Sequence, residues 1–248
     1  MAEDIRVGVI GAGVMGSGIA QTLASAGIRT VCTDIDAQAL ERGRQNAVSG
    51  RYGLERAVAR GKLARADADA ALGRLAFTPS LDEAVACDLV LECVPERLDL
   101  KLQVFRDLDA RAAPAAILAS NTSGFPITAL AAVTNRPDRV IGWHWASPPP
   151  IMRLAEIVVT PKTSDATVQR VRELASRCGK NPIVVKDFPT AWGFVANRIY
   201  FAMIREAQRV VDEGIASRED VNQLMVDTFN WPVGPFAMIR GATEGWKE

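Results

Sequence analysis

The sequence predicts an α/β protein, a doubly wound, mainly parallel sheet followed by a helical carboxyl-terminal region. Three observations carry this. Short β-branched apolar runs alternate with helical stretches as far as Asp187. The first run opens directly into a glycine-rich turn. Beyond Asp187 only helical patterns remain. The 248 residues are 48% hydrophobic and 23% charged, enough for one large domain or two modest ones with real cores. The 29 basic and 29 acidic side chains cancel, and no basic stripe is present, which argues against a nucleic-acid partner. No apolar run approaches the ~18 residues of a membrane span. Met1-Ala2-Glu3-Asp4 lacks the basic start and apolar segment of a signal peptide, so a cytoplasmic protein is expected. Cys32, Cys87, Cys93 and Cys178 are scattered, with no CxxC pair. They read as reduced core thiols, and no metal site is expected.

Ile5 to Ile10 reads as a buried parallel strand, apolar on both faces. Gly11-Ala12-Gly13-Val14-Met15-Gly16 follows, then a helix over Ser17 to Ala26 with Gly27 as C-cap. A second strand, Arg29 to Thr33, ends in Asp34. Strand, GxGxxG, helix, strand and terminal acid together make a Rossmann-type dinucleotide site. Gly11 permits the tight turn, Gly13 a close approach to a pyrophosphate, and Gly16 close helix packing. The helix N-terminus offers free N–H groups to the phosphates. The Asp34 carboxylate suits two ribose hydroxyls and repels a 2′-phosphate, so NAD is expected rather than NADP.

Ala37 to Leu75 shows no strand-like run and reads as two helices joined at Gly61-Lys62-Leu63. Arg56, Arg60 and Lys62 read either as solvated surface or as a basic rim for a phosphorylated substrate tail. Asp88 to Val94 is a further buried strand, followed by a helix from Pro95 to about Asp109. Ala116 to Ser120 is another strand, ending in Asn121-Thr122-Ser123. Ligands of open α/β sheets lie at the carboxyl ends of strands, where Glu96, Asn121 and Ser123 fall. Helix capping or turn formation is the other reading of Asn121 and Ser123.

Val140 to Trp145 and Leu154 to Val159 are strands joined by a proline-stiffened connection that can fix His144 near Glu156. His144 is the only histidine, so any imidazole chemistry uses it. It can take a proton from a hydroxyl near neutral pH, and a carboxylate beside it can hold one tautomer and stabilise the imidazolium. Thr167 to Cys178 is expected as an amphipathic helix and Asn181 to Val185 as a short strand. Gly193 to about Glu213 reads as a long helix, with Asn197 in its first turns, and Ser217 as the N-cap of another. The expected domains are residues 1–187, which bind the dinucleotide, and 188–248, all helical.

With these residues in view the chain resembles the 3-hydroxyacyl-CoA dehydrogenase family over nearly its whole length. The resemblance is carried by GAGVMGSGIA at 11–20, ECVPERLDLK at 92–101, SNTS at 120–123, GWHWASPPPIMRLAEIV at 142–158, KDFPTAWGFVANRI at 186–199 and WPVGPF at 231–236. It implies that His144 is the catalytic histidine and Glu156 its partner acid, with Ser123 and Asn197 bonding the reacting oxygen. It implies dinucleotide contacts at Gly11, Gly13, Val14, Met15, Gly16, Asp34, Glu96, Lys101, Asn121, Ser123 and Ser147. Ser123, Asn197 and Lys62 are the implied substrate residues, Lys62 facing the CoA tail, and the helical domain makes a homodimer. Three departures bear on acyl-CoA specificity more than on the redox chemistry. Ser147 stands where the family usually has Asn. Pro189-Thr190-Ala191-Trp192-Gly193 replaces a shorter Pro-Gly, so Asn197 enters at a shifted angle. The sequence stops at Glu248, soon after WPVGPF, so either the dimer-forming part is reduced or this is a fragment or shortened relative. The expected activity is reversible NAD-dependent oxidation of a 3-hydroxyacyl thioester. The alternatives are the same chemistry on an acyl-carrier-protein-bound group or a free hydroxy or sugar acid, and a dinucleotide-binding protein without turnover.

Overall fold

A computed structural model describes residues 5–244; the acidic start Met1–Asp4 and the end of the chain after residue 244 lie outside the described residues. In chain order, β1 (Arg6–Ile10), α1 (Val14–Ser25) and β2 (Arg29–Thr33) come first. Then come α2 (Ala37–Val48), α3 (Leu54–Ala59), α4 (Arg65–Leu72) and β3 (Leu75–Thr78). Next are α5 (Leu81–Val85), β4 (Leu89–Glu92), α6 (Leu98–Arg111), β5 (Ile117–Ser120) and α7 (Ile127–Ala132). After a single 3-10 turn at Pro137–Arg139 follow β6 (Val140–Trp145), β7 (Leu154–Val159), α8 (Asp165–Arg177) and β8 (Asn181–Lys186). The last helices are α9 (Val195–Asp212), α10 (Arg218–Phe229) and α11 (Pro235–Glu244). The chain divides into two compact units, one ending at Phe194 and one beginning at Val195.

The first unit is built on one eight-stranded sheet of order β3-β2-β1-β4-β5-β6-β7-β8. Every pairing is parallel except β6 with β7. The α/β class and the mainly parallel, Rossmann-type sheet agree with expectation. Because side chains alternate across a strand, the sheet has two cores. Val7, Val9, Leu89, Leu91, Ile141, Trp143 and Trp145 join Ile19, Leu23, Val171 and Leu174 on one face. Ile10, Val90, Leu118, Val140 and Val158 join Phe105, Leu108, Ile127 and Leu130 on the other. Both faces are covered by helices, which is why the strands read as continuous apolar runs.

Three expectations need correction. The excursion between β2 and β3 holds three helices, not two, because Leu54–Ala59 is too short to show its own periodicity. It ends in a strand, β3, which the sequence reading missed. This edge strand pairs only with β2, and its apolar run, Leu75-Ala76-Phe77, is only three residues long and lacks β-branched residues. Finally α1 begins at Val14, inside the glycine motif, rather than at Ser17.

The second unit holds α9, α10 and α11. Ser217 caps α10 reciprocally: its Oγ accepts from the Asp220 N–H at 3.1 Å, and Asp220 Oδ2 accepts from the Ser217 N–H at 3.4 Å. Asn230 ends α10 at φ 52°, and Asn222, in the first half of α10, accepts the Phe236 N–H at 2.9 Å, fixing the start of α11. Among the described residues no helix is long and apolar enough to cross a membrane.

Candidate active site

The turn from β1 to α1 is shaped by two glycines. Gly11 has φ +102°, and a Cβ on Gly16 would lie 1.8 Å from the Gly11 carbonyl oxygen. Only hydrogen at these positions lets the helix start this close to the strand. No side chain caps α1 at Gly13, and no acidic residue stands in its first turn, while Gly13 and Val14 face solvent. The positive end of the helix is therefore left for an outside anion. Met15 is half-buried beside them. At the end of β2, Asp34 Oδ2 accepts the Ala12 N–H at 2.7 Å and Oδ1 the Asp36 N–H at 3.0 Å. A carboxylate has about four acceptor positions, so two remain for a ribose diol. These residues fit a dinucleotide.

The tips of β4 and β5 are joined by a buried charge cluster. Lys101, on α6, is 1% exposed; its Nζ lies 2.6 Å from Glu92 Oε1, 3.3 Å from Glu96 Oε2 and 3.1 Å from the Val94 carbonyl. Glu92 also accepts from the Ser120 hydroxyl at 2.6 Å and the Val94 N–H at 2.7 Å. Burial pushes the Glu92 carboxyl above its ordinary value, while Lys101, Ser120 and Val94 pull it back. Glu96 Oε1 accepts from the Thr122 hydroxyl at 2.6 Å and from the Ser123 N–H at 2.9 Å. The cluster thus fixes the turn that carries Ser123. The ammonium of Lys101, named from the resemblance as a cofactor contact, is directed at two carboxylates and a carbonyl.

His144 lies on β6 directly opposite Glu156 on β7, the one antiparallel pair of the sheet. Its Nδ1 is 2.7 Å from Glu156 Oε2, and both residues are buried. With Glu156 ionised, Nδ1 must carry the hydrogen, which leaves Nε2 as the acceptor. Phe194 packs beside the imidazole, with ring centroids 5.8 Å apart. Asn121 Oδ1 accepts the Trp145 N–H at 3.0 Å, tying the β5 tip to the strand of His144. Trp143 and Trp145 point to the opposite face, 5.2 Å apart, with both Nε1 atoms buried and unpartnered. Their large buried ring area offsets that cost. The 148–152 connection is held by buried Lys180, whose Nζ donates to the Pro149 and Met152 carbonyls at 2.6 and 2.7 Å and lies 5.1 Å from the Trp145 ring.

The remaining expected residues are more dispersed. Ser147 is exposed just after β6, and Lys62 is exposed in the turn between α3 and α4. Asn197 lies in the first turn of α9, in the second unit. Within the first unit the structure brings together Glu96, Lys101, Asn121 and Ser123 at the strand tips, and His144 with Glu156 beside them. Glu92, Lys180 and Gly124 were missed by sequence reading. Glu92 had a visible signal, a lone charge closing the apolar run Leu89-Val90-Leu91. The cysteines are all free; burial raises Cys32 to about 12, with Asp34 adding to it, so this thiol stays protonated. Among the described residues no cluster of three or more His, Cys, Asp or Glu side chains is placed to hold a metal.

Comparison with known proteins bears on the same residues. Residues 6–188 match the family model of the 3-hydroxyacyl-CoA dehydrogenase NAD binding domain, and residues 193–246 match that of its C-terminal domain. A probable 3-hydroxybutyryl-CoA dehydrogenase of Bacillus subtilis is 41% identical over 236 residues, 95% of this chain and 80% of the relative. The crystal structure of (S)-3-hydroxybutyryl-CoA dehydrogenase from Ralstonia eutropha superposes with a TM-score of 0.89 at 42% identity, over 95% of this chain and 81% of that one. A 5-formyl-3-hydroxy-2-methylpyridine 4-carboxylate 5-dehydrogenase of Mesorhizobium japonicum is 36% identical, over 92% of this chain and 71% of the relative. The chain belongs to the 3-hydroxyacyl-CoA dehydrogenase family, and is an NAD-dependent oxidoreductase acting on CH–OH.

Proposed function

We propose that this enzyme oxidises a 3-hydroxyacyl-CoA to the 3-oxoacyl-CoA, reversibly, with His144 as general base. The observation that carries the reading is the buried His144–Glu156 pair at 2.7 Å, the chain's only imidazole held in one tautomer. Nε2 takes the proton of the C3 hydroxyl as the C3–O bond becomes a carbonyl. A bound NAD would supply the acceptor for the hydride that leaves C3. Glu156 steadies the imidazolium that forms, and Ser123 and Asn197 hold the reacting oxygen. Gly11, Gly13, Val14, Met15 and Gly16 would hold the pyrophosphate, and Asp34 the adenosine ribose. Glu96, Lys101, Asn121, Ser123 and Ser147 form the nicotinamide end of the cleft, and Lys62 with Arg56 and Arg60 meets the CoA phosphates.

The helical region from residue 188 is assigned to a homodimer interface, in keeping with the exposed Val195, Ile199 and Phe201 of α9, and the enzyme to the cytoplasm. The relative named for a pyridine carboxylate favours one second reading, the same chemistry on a free acid. The test is NADH formation from 3-hydroxybutyryl-CoA by the wild type and His144→Ala. A loss of roughly 100-fold or more in kcat is expected for a removed general base; equal turnover ends the reading.

A further inference from the structure

The end of the first unit folds back over the turn that carries Ser123. After β8, Asp187 Oδ2 accepts from the Thr128 N–H at 2.7 Å and its hydroxyl at 2.6 Å. The Ala191 N–H donates to the Phe188 carbonyl at 3.3 Å, and the Gly193 N–H to the Gly124 carbonyl at 3.2 Å. Phe194 then packs beside the His144 ring. Between these anchors the indole of Trp192 packs against Gly124. A Cβ built on Gly124 would be 2.8 Å from indole Cδ2, and 2.2 and 2.6 Å from N and Cα of Gly193. Any side chain at 124 would push the segment away. Trp192 keeps 47% of its surface exposed, so it is backed by the turn and open on another side. Residues 189–192, Trp192 among them, fall between the two stretches that match the family models.

We propose that Trp192 is a specificity-determining residue: its indole, braced on Gly124 next to Ser123, bounds the space beside the reacting carbon and restricts the acyl group to short chains. This rests on the reading of Ser123 and His144 as the residues around the reacting C–O bond. An indole is broad, stiff and mostly apolar, so it meets the acyl end of the substrate rather than the polar pantetheine arm. The Gly193–Gly124 hydrogen bond and the close packing at Gly124 keep it from swinging toward the turn. A chain longer than the space allows must displace a braced ring, and a pocket mismatch of one methylene already shifts selectivity by roughly 10-fold or more.

The experiment measures kcat/KM of the full-length enzyme for 3-hydroxybutyryl-CoA and 3-hydroxyoctanoyl-CoA, in wild type, Trp192→Ala and Trp192→Leu. The leucine variant keeps apolar bulk against Gly124 if alanine fails to fold. The octanoyl-to-butyryl ratio is expected to rise roughly 10-fold or more in the folded variants. A wild type active on the butyryl substrate whose ratio is unmoved in both variants overturns this proposal alone. A wild type that turns over neither thioester overturns it together with the dehydrogenase reading on which it rests.

Discussion

Replacing Glu156 with glutamine keeps the shape of the His144 partner and removes its charge. In the wild type the two groups meet at 2.7 Å, and both are buried. With charge centres about 4 Å apart and an effective dielectric of about 20, the carboxylate attracts an imidazolium by about 4 kcal/mol. A neutral amide that still accepts the Nδ1 hydrogen returns about 1 kcal/mol. The difference, about 3 kcal/mol, falls on the state in which His144 has taken the substrate proton. At about 1.4 kcal/mol per decade this lowers kcat roughly 100-fold. The KM for NAD should move by less than about threefold, because the loss is confined to the proton-transfer state. Initial rates of NADH formation at saturating 3-hydroxybutyryl-CoA and NAD measure both quantities. A Glu156→Gln enzyme with kcat within about threefold of the wild type would refute the assignment of Glu156 as the group that stabilises the imidazolium.

Two further predictions rest on the scaffold. Gly16→Ala puts a methyl group 1.8 Å from the Gly11 carbonyl oxygen, so the turn must open. NAD affinity by calorimetry should fall at least about tenfold, with a loss of stability in the range of an overpacked site, about 1–3 kcal/mol; unchanged affinity would show that this turn does not shape the pyrophosphate site. Burial pushes the Asp109 carboxyl up, but the Asn135 N–H, the Arg136 guanidinium and the Asn135 amide more than offset it and hold it below the ordinary range. A depressed folded value means that the stabilisation is present above the unfolded value near ~3.9 and is lost as pH falls through the folded one. Asp109→Asn should therefore lose less stability than the wild type between pH ~5 and ~3 in urea titrations; identical losses would refute it.

The dinucleotide end was legible because local geometry imposes it: a turn as tight as that at Gly11 and an approach as close as that at Gly16 leave little choice of residue. The His144–Glu156 pair was legible because there was one histidine, and because a proline-stiffened link between two strands keeps them adjacent. Tertiary partners were not. Glu92 and Lys101 are nine positions apart on a strand and a helix, and nothing in their spacing says that the lysine's ammonium is directed at the glutamate. The edge strand β3 was missed because Leu-Ala-Phe-Thr is short and has no β-branched apolar residue to set it apart from the helical stretch before it. The packing of Trp192 on Gly124 joins residues 68 positions apart, and a sequence carries no local trace of such a contact.

The reversal between β6 and β7 also limits how this enzyme can be altered. Antiparallel pairing sets His144 and Glu156 face to face, with Trp143 and Ile157 paired on the reverse side. A slip of β7 by a single position would turn Glu156 to the other face and leave the imidazole without its carboxylate. The proline link between these two strands borders that pairing, so its length bears on the site as well as on the loop. Libraries that vary this segment should hold its residue count constant and draw their diversity from side chains.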